Sequence, residues 1–354
     1  MDQSKLYDQL AEHLDQGVIG APKSPALIEI LKVLFPPDEA EVALHIPMLN
    51  TPLSQVRALF PDRSDIEDVL NRMARRGTVF TSQRPGQERK YRLLPSIVGW
   101  AETPYWGGRD ASEARKLAPM WVRYREEAYG AEMERGGIPP VRVLPISKAV
   151  EDSREVLPFD ALRPMIEAVS FRAVAKCPCR QIRRYADEGC NHSLENCLHF
   201  GSMGRYMVEN GMGREVTVEE TLQILEAANK EGLVHVTDNI QGHLNTICNC
   251  CGCCCIFIQT KKRMGIHALS SSNYVSRVDA DTCVGCGICE EPCPMNAVTV
   301  NGEGVAEVDE SRCIGCGVCT SVCEFEAVEL VLRGEVTPPP TLEEMLAARF
   351  KAGR

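Results

Sequence analysis

One cysteine spacing is written twice in the last quarter of the chain. Cys283, Cys286, Cys289 and Cys293 form C-x2-C-x2-C-x3-C, and Cys313, Cys316, Cys319 and Cys323 repeat it. Eight thiols at matched spacing have one principal chemical use. Three thiolates on a tight loop wrap three corners of an iron–sulfur cube, and a remote cysteine supplies the fourth. Gly285, Gly287, Gly315 and Gly317 lie inside the two loops, where the backbone must turn its N–H groups toward sulfur. Such a unit carries electrons; the spacing leaves donor and acceptor unnamed.

Each half reads as strand, cluster loop, short helix, strand, with strands expected at 274–278, 297–300, 305–308 and 327–332. Over residues 273–333 the pattern resembles bacterial ferredoxins that carry two [4Fe–4S] clusters. In that family the fourth cysteine of each run ligates the other cluster. The resemblance therefore implies one cluster on Cys283, Cys286, Cys289 and Cys323, and a second on Cys313, Cys316, Cys319 and Cys293. Pro294 follows Cys293 as the family pattern expects, whereas Glu324 follows Cys323. A carboxylate held there out of water would lower the potential of the first cluster. Zinc is the competing reading, because C-x-x-C pairs also serve zinc.

Ten further cysteines lie upstream. Cys177, Cys179, Cys190 and Cys197 form a loose group, and Cys248, Cys250, Cys251, Cys253, Cys254 and Cys255 crowd into eight residues. A core that needs small apolar groups would also use Ala and Val, and adjacent cysteines strain a disulfide. Metal ligation is the better reading. Cys177, Cys179, Cys190 and Cys197 could close a site alone, or the first two could join the 248–255 run. One or two additional iron–sulfur clusters are expected here, with structural zinc and catalytic thiols as alternatives. Lys176, Arg180, Arg183, Arg184 and 261–263 place cations nearby, which would stabilise anionic clusters. His192 and His199 are ligand candidates set against a surface reading.

With 18 cysteines in 354 residues and a polar, acidic start, the chain looks neither short nor secreted. A reducing cytoplasm poor in oxygen is the expected compartment, and no apolar run is long enough to span a bilayer. A net charge of −10 argues against nucleic acid and for basic docking partners. Neither G-x-G-x-x-G after a strand nor a phosphate loop occurs, so no flavin or nicotinamide site is expected.

The expected fold class is α+β, multidomain. Residues 1–100 lack cysteine. Helices expected at 24–34 and 62–76, short elements at 38–47 and 51–60, the latter starting at a Thr51-Pro52 helix opening, and strands at 78–83 and 90–94 resemble a winged helix serving as a docking domain. A helical connector at 101–147, a cysteine-rich metal-binding region at 148–272, the dicluster domain at 273–333, and a proline spacer with a terminal helix at 334–354 complete the organisation. In the third region, 218–231 reads as a helix with a Thr217/Glu220 capping box.

The leading function is an electron-transfer protein or subunit feeding a partner oxidoreductase; whether it is itself an enzyme stays open. One alternative is a reductase with its own special cluster or dithiol at Cys248–Cys255. Its C-C-G segment, Cys250-Cys251-Gly252, is similar to segments of heterodisulfide-reductase subunits. The other is a redox-sensing DNA-binding regulator. Residues 1–100 hold 12 Lys/Arg against 13 Asp/Glu, a poor balance for phosphate neutralisation.

Overall fold

The computed structural model describes residues 3–17, 19–107, 111–146, 162–241 and 244–353. At 43% helix and 17% strand, the protein is of mixed α+β composition. It forms two compact units, each discontinuous in sequence. The first comprises Met1–Glu132, Ala175–Gly189 and Ser202–Glu215; the second comprises Met133–Val174, Cys190–Gly201 and Val216–Arg354.

In the first unit, helix Pro25–Leu34 starts where Ser24 Oγ accepts the Leu27 N–H and proline occupies the opening turn. Helix Ile66–Arg76 buries Ile66, Val69, Leu70 and Met73 along one stripe and stops at Gly77, φ 80°. The hairpin Val79–Ser82 with Lys90–Leu93 follows. A third strand, Thr51–Pro52, pairs with Lys90 and Tyr91. Thr51–Pro52 was expected to open a helix; it is a strand, and Leu53–Ala58 is the helix behind it. Pro52 lacks an N–H, which suits this edge position. Phe35, Trp100, Trp121 and Tyr124 stack edge to face or tilted at centroid distances of 5.6–6.4 Å. Each such pair adds about 1 kcal/mol beyond its buried area. Two segments from the middle of the chain join this core: Tyr206 donates to the Ala74 carbonyl at 2.9 Å, and Tyr185 stacks on Tyr105.

The second unit is built on antiparallel strands in the order Val141–Leu144, Val234–Asp238, Thr246–Cys250, Glu195–Phe200. Alternation divides their side chains. One face carries Leu144, Leu198, Phe200 and Ile247, packed with Ile166 and with Leu225 of helix Val218–Lys230. That helix opens as its capping residues require, with Thr217 Oγ1 accepting the Glu220 N–H at 3.1 Å. By the same alternation the opposite face carries Cys197, Cys248 and Cys250.

The repeated unit forms two two-stranded sheets that cross between its halves. Tyr274–Val278, ahead of the first loop, pairs with Val328–Leu332, behind the second. Val298–Val300, behind the first loop, pairs with Ala306–Val308, ahead of the second. Gly285 and Gly315 adopt φ 67° and 65°. A Cβ at either would fall 2.0 Å from the Gly304 carbonyl oxygen or 2.1 Å from that of Tyr274. Pro338 and Pro339 give their carbonyls to Gln241, and helix Leu342–Gly353 follows, capped by Thr341. Among the described residues no helix is long and apolar enough to cross a membrane.

Candidate metal centres

The crossed strands dictate how the eight repeated thiols group. Pairing Val278 with Val328 brings Cys323, just upstream of 328, to the first loop. Pairing Val298 with Val308 brings Cys293 to the second. Cys283, Cys286, Cys289 and Cys323 accordingly line one pocket, walled by Val284, Ile288, Phe325, Ala327 and Val328. Cys293, Cys313, Cys316 and Cys319 line another, with Pro294, Ile314 and Val318. Four sulfurs around an apolar space are the donor set an iron–sulfur cube takes. Donors to sulfur are in place: the Ala306 N–H lies 3.4 Å from Cys283 Sγ, the Ala297 N–H 3.2 Å from Cys293 Sγ, and Ser276 Oγ 3.0 Å from Cys319 Sγ. Burial pushes the Cys319 thiol up to about 12 and Cys316 well above its ordinary value. Loading metal must therefore displace protons from these groups.

Of the other ten cysteines, Cys177 and Cys179 belong to the first unit. Cys177 caps helix Pro178–Tyr185, and Cys179 sits in its first turn, 3.9 Å from Arg125 Nη2. Arg125 carried no signal in the sequence. Arg180, on the same helix, is fully buried, and Arg183 pairs with Glu188.

The crowded run splits in two. Cys248 and Cys250 project from one face of a strand, and Cys250 shares hydrogen bonds with Cys248 and with Cys255, the cap of helix Ile256–Met264. Cys251, Cys253 and Cys254 lie on the intervening turn and converge with Cys190. Cys197 lies outside that quartet and contacts His199 Nε2 at 3.2 Å. Within the second unit, Cys190 and Cys197 thus do not share a site. Strand alternation sends Cys197 to the sheet face, while Cys190 precedes the strand.

The surface reading of the histidines is also corrected. His199 is fully buried in its strand, and burial holds its pKa down to about 4. His192 is half-buried with Nδ1 3.3 Å from Cys190 Sγ. Behind the sheet, His235 Nδ1 donates to Asn249 Oδ1 at 2.6 Å, and Asn249 donates to the Asn196 carbonyl. Nothing in the sequence marked that network. Glu324 is exposed, so water screens the carboxylate expected to depress the first cluster.

The family model of the 4Fe-4S dicluster domain matches residues 282–327. The repeated unit is an iron–sulfur domain of the ferredoxin type, and electron transfer is the role it supports. Neither the curated proteins nor the solved structures searched contain a match to the chain.

Proposed function

We propose that this chain is an electron-transfer protein or subunit that relays electrons to a partner oxidoreductase. Cys283, Cys286, Cys289 and Cys323 hold one [4Fe–4S] cluster, and Cys293, Cys313, Cys316 and Cys319 hold the second. The observation that carries this reading is the pair of cavities, each lined by three thiols of one run and the fourth of the other. Each cluster supplies one-electron chemistry when bound. The protein's part is to bury the sulfurs, aim N–H and O–H donors at them and present one end to a partner.

That end is at the first cavity, where Val284, Ile288 and Phe325 are exposed. Glu324 and Glu326 stand beside them, also exposed. An apolar patch with an acidic rim suits a redox protein with basic residues around its own cofactor. We assign residues 1–100, a winged-helix-like arrangement, to docking rather than to DNA. Arg57, Arg63, Arg72 and Arg76 are already engaged by Glu67, Asp38, Asp65 and Glu39, leaving less charge for phosphates. Cys248, Cys250 and Cys255 are the place for a further cluster, in keeping with a reducing, oxygen-poor compartment.

The test is electron paramagnetic resonance of the anaerobically purified, dithionite-reduced chain. Cys286→Ser and Cys323→Ser should perturb one cluster signal, and Cys293→Ser the other. If Cys323→Ser instead perturbs the signal that Cys313→Ser perturbs, the ligand sets are wrong.

A further inference from the structure

The quartet on the turn differs in scale from the two cavities. Cys190, Cys251, Cys253 and Cys254 place their sulfurs within 4.8 Å of one another. Cys190 lies 3.9 Å from Cys251 and 3.7 Å from Cys254, and Cys253 lies 3.7 Å from Cys254. Among the described residues no other three or more Cys, His, Asp or Glu converge as closely, the eight repeated thiols included. Bond lengths decide what such a set can hold. A single ion bound at about 2.3 Å by four thiolates separates them by roughly 3.8 Å along each tetrahedral edge. A cube interposes four metals and spreads its thiolates to roughly 6 Å.

We propose that Cys190, Cys251, Cys253 and Cys254 hold one thiophilic divalent ion, Zn²⁺ or Fe²⁺, in a closed tetrahedral site. The site has a built surround. Ala228 and Leu233 pack with Cys251, Cys254 and Cys190, and His192 is positioned to donate Nδ1–H to Cys190 Sγ, the kind of outer contact that orients a ligand. Binding exchanges thiol protons for the cation, so the site fills with release of protons and no redox change.

The ion also has something to hold. Gly252, between two of the ligands, lies against Pro294: a Cβ there would stand 2.9 Å from the Pro294 Cα and carbonyl oxygen. Pro294 directly follows Cys293. The ion therefore pins the turn on which a Cys293-bearing loop rests, and this consequence alone depends on the electron-transfer reading above.

The test is metal and acid-labile sulfide content of the full chain, purified anaerobically, together with X-ray absorption at the zinc and iron edges. Expected in the wild type is one metal per chain beyond the sulfide-matched iron, with four sulfur neighbours at about 2.3 Å. The edge that shows it separates zinc from iron. Cys190→Ser and, separately, the exposed Cys253→Ser should release that one metal to a chelator while the sulfide-matched iron stays. Loss of four irons with four sulfides in these variants would overturn the proposal, as would a wild type without the extra metal. Failure of the two-cluster reading would appear separately, as sulfide-matched iron below eight per chain in the wild type.

Discussion

The two cysteine-rich regions of the second unit solve the same problem differently. In the repeated unit, three thiols of each pocket come from one tight loop and only the fourth arrives from elsewhere, so local spacing does most of the positioning. In the 248–255 run, neighbours in sequence part company: Cys250 turns to a strand face with Cys248, while Cys251 joins Cys190, 61 residues upstream. The first arrangement rings apolar pockets with four thiols each; the second draws its sulfurs to within 4.8 Å. Thiol density along a chain therefore does not set how closely the sulfurs gather. Backbone conformation does, since a loop of left-handed glycines spreads thiols around a space and a turn gathers them.

The sharpest way to break this contrast is a methyl group. Gly315→Ala places a Cβ against the Tyr274 carbonyl and Gly285→Ala one against Gly304; each should cost its own loop's cluster, four irons with four sulfides per chain, by iron and sulfide assay. Retention of all the iron in both would mean that loop shape does not set the cavities. A smaller effect is expected across the two regions. Cys254→Ser should broaden the resonance of the Cys293-containing cluster and leave the other unchanged; equal disturbance of both would remove the role of the Gly252–Pro294 contact.

The sheet beneath the middle region should also respond to acid, whereas residues 273–333 contain no histidine. Burial lowers the His235 pKa to about 4. The unfolded chain takes up that proton as pH falls below about 6.5, before the folded protein does. Stability contributed by the neutral ring is thus complete above that pH and is lost on the way down to about 4, by up to roughly 3 kcal/mol. His235→Phe should flatten the fall of the thermal midpoint between pH 7 and 5; an unchanged slope would assign the acid sensitivity elsewhere, His199 being the next group. The smallest effect is electronic. Ser276→Ala removes the hydroxyl at 3.0 Å from Cys319, a donor that favours the more negative, reduced cluster. The second cluster's potential should drop by some tens of millivolts, the equivalent of about 1 kcal/mol, with the first as internal control.

Much of the local structure was legible. Ser24, Gly77 and Thr217 mark helix ends because capping is settled within a turn of chain. Thr51–Pro52 was misread because pairing with Tyr91 and Lys90 decides its state, and those partners lie 40 and 38 residues away. The burial of His199 and the Asn249–His235 network were hidden for the same reason: a side chain's face depends on which strands neighbour it.

What the sequence by itself determined is the chemistry of the repeated unit. Its eight cysteines, their glycines and the flanking strands are short-range patterns, and the 4Fe-4S dicluster family model matches residues 282–327. What only the tertiary structure decided is the division of the other ten thiols. Bringing Cys190 to Cys254, or setting Cys250 against Cys255 and not Cys251, requires a sheet register and a turn geometry stabilised by contacts across the whole unit. Loop closure over 60 residues carries no local signature, and a one-residue change of register would send each strand cysteine to the other face.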